Sequence, residues 1–165
     1  MGENCCGEVK AGAGVCELNL EVGLKQGQKR AACPECGTPG KPVQRLTVQA
    51  LLGVSLAEMQ EGEYGFCRTA GCRVVYFLAD GEQVFTQDQV RERVFQKATE
   101  LEDTPVCYCF QYTVGEVRNR GKVILEEINA GIQAGKCACE LRNPQGSCCL
   151  GNVREMVKSR GKTKQ

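Results

Sequence analysis

The sequence predicts an α+β protein made of two small metal-stabilised domains, and three observations predict it. Thirteen of the 165 residues are cysteine, mostly in short-range pairs. Apolar material for one large core is thin, since aromatic residues are 5% of the chain, Trp is absent and 20 residues are Gly. A chain so built needs something besides hydrophobic burial to hold it together. Local patterning then places a β-hairpin with a helix in one cysteine-rich stretch and short helices in the next.

The cysteines divide the chain into four stretches: a flexible Gly-rich arm over 1–32, a domain with two cysteine pairs over 33–100, a domain with six cysteines over 101–152 and a basic tail over 153–165. In the second stretch, Arg73 to Phe77 has the β-branched and aromatic content of a strand. Gln83 to Thr86, after the Asp80-Gly81 turn signal, is its hairpin partner. Thr86 and Gln89 form a capping-box pattern, and Val90 and Val94 stand one turn apart, so a helix is expected there. Leu46 to Leu56 is apolar but mixed in period and gives no assignable element. Leu101 to Pro105 has the polarity and proline of a linker.

In the third stretch, Thr113 and Glu116 make a second capping box, so a short helix runs to about Arg120 and stops at Gly121. Ile124, Ile128 and Ile132 recur every four residues and predict a helix from Lys122 to Ala134, with Gly135 as its stop. Asn143-Pro144-Gln145-Gly146 has the residue order of a tight turn. The tail, with Arg154, Lys158, Arg160, Lys162 and Lys164, reads as a solvated, fraying end.

Thirteen is an odd number, which argues against complete disulfide pairing. The first 30 residues hold no apolar run suited to a signal peptide, and none elsewhere reaches the roughly 18 residues of a membrane span. The expected location is therefore the cytoplasm, where thiols stay reduced and available to metal. Net charge is +1, which gives no global field toward nucleic acid or a membrane surface.

Cys33-Pro34-Glu35-Cys36-Gly37 is a C-x-x-C knuckle, and Cys67 with Cys72 completes a set of four just before the predicted strand. Structural zinc takes four such thiolates in a tetrahedron, so Cys33, Cys36, Cys67 and Cys72 are the candidate zinc ligands. Iron can occupy the same four sulfurs. No histidine is present, and four thiolates leave no open position for catalysis.

Six more cysteines follow: Cys107 and Cys109 in C-x-C spacing, Cys137 and Cys139, then Cys148 and Cys149. A 2Fe-2S cluster takes four thiolates in an apolar shell. Spacing alone leaves this open, since six cysteines can equally build a second zinc site.

The run CYCFQYTVGEV followed by AGKCACELRNPQGSCCLGNV resembles the 2Fe-2S domain of the CopZ-type copper chaperones, itself similar to the bacterioferritin-associated ferredoxin fold. Upstream, CPECG and GFCRTAGCRVVYF resemble the zinc-binding domain that precedes it in that family. Together the matches cover roughly residues 33–152. The resemblance implies Cys107, Cys109, Cys139 and Cys149 as cluster ligands, with Cys137 the alternative to Cys139 and Cys148 to Cys149, and Cys33, Cys36, Cys67 and Cys72 as zinc ligands. The implied cofactors are a 2Fe-2S cluster and Zn(2+), and the implied activity is reduction of Cu(II) to Cu(I) in the cytosol.

CopZ-type chaperones also carry a C-terminal heavy-metal-associated domain, whereas this sequence ends in VREMVKSRGKTKQ. The expected partners are therefore copper or another soft metal and a separate metal-transfer protein, with the electron donor unassigned. Cys5, Cys6 and Cys16 on the arm form a candidate soft-metal site for Cu(I), arsenite or mercuric ion, because soft thiolates select soft ions. The leading expectation is a one-electron carrier of metal homeostasis, not a conventional enzyme, since no nucleophile motif is present. Two other readings are an iron-sulfur scaffold or ferredoxin-like carrier and a zinc-ribbon interaction module.

Overall fold

The computed structural model describes residues 30–160, so the arm with Cys5, Cys6 and Cys16 lies outside the described residues. Four short strands, β1 (Lys41–Val43), β2 (Tyr64–Phe66), β3 (Val74–Leu78) and β4 (Val84–Thr86), form an antiparallel sheet in sequence order. The predicted hairpin is β3 with β4, and a bulge between Val74 and Tyr76 shifts its register. Helix α1 (Arg45–Leu51) supplies the element that Leu46 to Leu56 left unassigned.

Every residue of β3 is buried. Val75, Tyr76 and Leu78 join Val48, Leu51, Leu52 and Phe66 in the main core of this part, while Val74 and Phe77 pack with Cys33, Cys67 and Cys72. One strand thus serves both the apolar core and the wall behind four thiols.

The helix expected after Thr86 does not form. The capping box is made, with the Thr86 N–H donating to Gln89 Oε1 at 2.9 Å, but it caps only a 3-10 turn over Gln87–Gln89. The neighbouring backbone groups are taken elsewhere: Gly53 N–H donates to Gln89 O at 2.7 Å and Arg91 N–H to Leu51 O at 2.9 Å. Pairing with the end of α1 holds Val90 extended, and this tertiary bridge outweighs the local helical preference. Val90 and Val94 are both buried, as their spacing predicted, although not on a helix.

The remaining elements are a small hairpin, β5 (Pro105–Cys107) with β6 (Tyr112–Thr113), and helices α2 (Val114–Arg120), α3 (Lys122–Gln133), α4 (Cys139–Arg142) and α5 (Leu150–Arg160). Thr113 caps α2 as predicted, with Glu116 N–H donating to its hydroxyl at 3.3 Å. Leu101 to Pro105 is not a loose linker: Thr104 is fully buried and its carbonyl accepts from Val114 N–H at 2.9 Å. The expected boundary between 152 and 153 is also corrected. Helix α5 runs through it, and Val153 is fully buried with Val106, Val114, Val117, Ile124 and Ile128. The basic side chains Arg154 and Lys158 occupy the exposed face of that helix.

The helical part packs on the sheet through specific polar contacts. Tyr76 Oη donates to Pro144 O at 2.8 Å, and Lys41 Nζ donates to Gln145 O at 3.0 Å and to Ser147 Oγ. Tyr108 Oη donates to Arg93 O at 2.8 Å and accepts from Phe95 N–H at 2.9 Å. These bonds join β1, β3 and the segment after β4 to the loops that carry the second cysteine group. Among the described residues no helix is long and apolar enough to cross a membrane.

Candidate metal centres

Cys33, Cys36, Cys67 and Cys72 come together with their sulfurs all within 4.8 Å of one another. Cys33 Sγ lies 3.8 Å from Cys72 Sγ, and Cys36 Sγ lies 3.6 Å from Cys67 Sγ. Four sulfurs at about 2.3 Å from one tetrahedral ion stand about 3.8 Å apart, so these spacings suit a single zinc.

The local chain makes this set. Gly37 N–H donates to Cys33 O at 2.8 Å and Cys33 N–H to Thr38 O at 3.0 Å, which folds the C-x-x-C segment into a tight knuckle. Gly37 has a φ of 69°, the left-handed conformation that glycine takes without steric cost. On the other side, Cys67 follows β2 directly and its N–H donates to Val75 O at 2.9 Å. Cys72 N–H closes a turn to Thr69 O at 3.2 Å just ahead of β3.

These thiols differ in surroundings. Burial pushes Cys33 up and Cys72 up to about 12, whereas exposed Cys36 is held down at about 6, first by the Thr69 hydroxyl and then by Thr38. Binding a cation removes the cost of the buried thiolates by replacing the proton with a larger positive charge. Lys97 adds a second positive group: its Nζ donates to Cys67 Sγ at 3.4 Å and to Thr69 O at 2.7 Å. Sequence reasoning missed this lysine, because no spacing signal links residue 97 to residue 67.

The second group gathers Cys107 at the end of β5, Cys109 in the β5–β6 turn, Cys139 at the start of α4 and Cys149 just ahead of α5. Cys109 Sγ is 3.7 Å from Cys139 Sγ, and the Cys149 thiol lies near enough to Cys107 and Cys139 for each to perturb the others' titration. These contacts lower Cys107 and draw Cys139 down to about 5, while Cys149 is pushed up, chiefly by its bonds to Cys107 and Cys139. Burial raises Cys109 to about 12. Two pairs of thiols, Cys109 with Cys139 and Cys107 with Cys149, the second pair buried among Val106, Val114, Val117, Ile124, Ile128 and Val153, fit the donor set and apolar shell of a 2Fe-2S cluster. Ala138 N–H also donates to Cys109 Sγ at 3.3 Å, a contact of the kind that tunes cluster potentials.

The two remaining cysteines part company. Cys137 Sγ is 3.3 Å from Cys139 Sγ, and it forms a close group with Cys109 and Cys139. Cys148 is exposed and belongs to no such group.

The loop before Cys149 is tightly pinned. Asn143 Nδ2 donates to Ser147 O at 2.7 Å, and Gln145 Nε2 donates to Cys148 O at 3.1 Å. The predicted turn closes with Gly146 N–H on Asn143 O at 2.8 Å. Asn143 and Gln145 are both buried polar residues.

Comparison with known proteins agrees with this geometry. A family model described as a zinc binding domain, of CopZ type, matches residues 30–91, which contain the whole first thiol group. The chain is 38% identical over 128 residues to a copper chaperone CopZ from Archaeoglobus fulgidus. That match takes in 75% of this chain and spans about 60% of the relative's length. The X-ray structure of the N-terminal domain of Archaeoglobus fulgidus CopZ is 34% identical, with a TM-score of 0.61. The likeness covers 76% of this chain and 96% of that domain, and on that match the chain belongs to the CopZ family.

Proposed function

We propose that this protein is a one-electron carrier for copper handling, with a structural zinc on Cys33, Cys36, Cys67 and Cys72 and a 2Fe-2S cluster on Cys107, Cys109, Cys139 and Cys149. What carries the reading is the meeting of these thiols from three separate chain segments, with Cys107, Cys109 and Cys149 in or against the apolar core of the helical part and Cys139 3.7 Å from Cys109. A bound 2Fe-2S cluster supplies one-electron chemistry.

The protein's own residues do the rest. Val106, Val114 and Val153 keep water from the thiols on the inner side, where Cys107 and Cys149 are fully buried. Cys109 is only partly buried and marks the side from which an electron leaves for an external acceptor. The zinc-bearing sheet is a platform: Tyr76 and Lys41 fix the loop that ends in Cys149. No side chain is asked to act as acid or base. The substrate class is a soft-metal ion, Cu(II) taken to Cu(I) with one electron, and a reducing cytoplasm suits thiolate ligands. Transfer of the reduced ion would fall to a partner protein.

Anaerobic purification followed by zinc, iron and acid-labile sulfide analysis tests the reading, with an electron paramagnetic resonance spectrum of the dithionite-reduced protein. Mixing the reduced protein with Cu(II) and a Cu(I)-selective chromogenic chelator is expected to yield Cu(I) as the cluster spectrum returns to its oxidised form. Zinc without iron or sulfide would overturn it.

A further inference from the structure

We propose that Cys137 is a reserve ligand of the cluster site, able to exchange places with Cys139; this rests on the cluster reading above. The resemblance left Cys137 as an alternative to Cys139 and Cys148 as an alternative to Cys149, and the two spare thiols differ in their surroundings. Cys148 is exposed and outside the thiol group, whereas Cys137 stands beside both Cys109 and Cys139.

The distances say what Cys137 can do. Cys109 and Cys139, at 3.7 Å, are spaced like two corners of a tetrahedron of thiolates, for which about 3.8 Å is expected. Cys137 and Cys139 are only 3.3 Å apart, too close for two corners of one tetrahedron. They instead offer two candidates for one corner. Replacing one by the other needs a sulfur displacement on the order of 3 Å, within reach of a side-chain rotation between staggered wells.

The backbone around Cys137 permits the exchange. Residues 134–136 and 138 are exposed. The backbone is held by Lys136 N–H on Gly131 O at 3.0 Å and Ala138 N–H on Cys109 Sγ at 3.3 Å, so the exchange falls to side-chain rotation, which no packed neighbour of these residues resists. Gly135 has a φ of 68° and open space where a Cβ would lie. The segment is a short connector between α3 and α4, whose first residue is Cys139 itself. By contrast, Cys149 is locked ahead of α5 by a buried and fully bonded loop, with no comparable freedom.

With a cluster bound, the Cys137 sulfur would take the ligand position that the Cys139 sulfur gives up, one iron–sulfur bond replacing another. The proton of the Cys137 thiol passes to the Cys139 thiolate, so charge and electron count are unchanged.

Full-length chains carrying Cys139→Ala, Cys137→Ala and both changes, prepared anaerobically, test the proposal. The readouts are iron and sulfide content and visible absorption, with zinc content reporting the integrity of the sheet. Cys139→Ala is expected to keep most of its iron and sulfide with a shifted spectrum. Cys137→Ala is expected to load like the unaltered chain, and the double variant to lose nearly all iron with zinc retained. A Cys139→Ala chain as empty as the double variant would overturn the proposal. Cys137→Ala gives a second measure that does not depend on the folding of the first: its iron is expected to pass to an external chelator several-fold faster, because no thiol stands by to recapture an opened corner. An unchanged rate of loss overturns the proposal. An unaltered chain with no iron would instead sink the cluster reading itself.

Discussion

Tyr76 gives the sharpest test of how the sheet holds the second thiol group. Its ring is fully buried in β3 and its hydroxyl donates to Pro144 O at 2.8 Å, across the junction between the two parts. Burial raises the Tyr76 hydroxyl far above its usual range, so it remains a proton donor at every ordinary pH. Tyr76→Phe keeps the ring and removes the donor, leaving a buried carbonyl without that partner, at a cost of about 1–3 kcal/mol. At about 1.4 kcal/mol per tenfold, the open population of the Asn143–Cys149 loop rises roughly 5- to 150-fold. Hydrogen exchange of zinc-loaded protein, read by mass spectrometry on peptides spanning residues 143–149, measures that population directly. Exchange there is expected to accelerate within this range, while the knuckle peptide around Cys33 and Cys36 keeps its protection. If the 143–149 peptides exchange no faster than in the unaltered chain, the idea that the sheet clamps the loop ahead of Cys149 fails.

Three further outcomes follow from the first thiol group and the core behind it. Lys97→Met removes the ammonium that donates to Cys67 Sγ at 3.4 Å while keeping the length of the stem; outer-shell losses of this kind typically weaken metal binding by about 10–100-fold, and a competition titration with a zinc chelator reads the change. Gly65→Ala sets a Cβ at 2.6 Å from Phe77 Cζ, with Gly40 crowding the same ring from its own position, so the ring has nowhere to go and overpacking destabilises the sheet by about 1–3 kcal/mol, seen as a lower melting temperature of the zinc-loaded protein. In zinc-stripped protein, Cys36, held down at about 6, is alkylated by iodoacetamide at pH 7 well ahead of Cys33 and Cys72, which burial raises; its reaction slows as pH falls through 6 and the thiolate is protonated, and mass mapping of the modified cysteines checks both the order and the slope.

The parts of the structure that were legible in the sequence are those fixed by local chemistry. The β3–β4 hairpin followed from β-branched content and Asp80-Gly81, and α2 and α3 followed from a capping box and an isoleucine repeat. The first thiol group was legible because C-x-x-C is a local knuckle whose sulfurs converge wherever the chain goes. The misses share one cause. At Gln89 to Arg91 the end of α1 claims the backbone, and at Val153 the core formed by β5, α2 and α3 claims a side chain that the basic residues around it had hidden. Both are long-range effects, invisible to a window of a few residues. The same holds for Lys97 and Tyr76, whose partners lie 30 and 68 residues away. The different surroundings of Cys137, 3.3 Å from Cys139, and of exposed Cys148 were likewise beyond spacing.

The dependence between the two parts runs mainly one way. The sheet part has its own core of Val48, Leu52, Phe66, Val75 and Tyr76, and the neighbours of its four thiols, Thr38, Thr69, Val74, Phe77 and Lys97, all precede residue 98. The helical part is built from α2, α3, α4 and α5, of 7, 12, 4 and 11 residues. Helices shorter than about 12–15 residues are marginal alone in water, so packing and ligation must hold them. Three of the groups that anchor this part to the sheet, Lys41, Tyr76 and Gln96, converge on Pro144, Gln145 and Ser147, just ahead of Cys149. That concentration has a physical consequence: Cys149, one of the two fully buried thiols at the second site, follows directly on the loop tied to the zinc-bearing sheet. Stripping zinc should therefore loosen the second thiol group through Cys149 first, whereas losing the second group should leave the zinc knuckle intact.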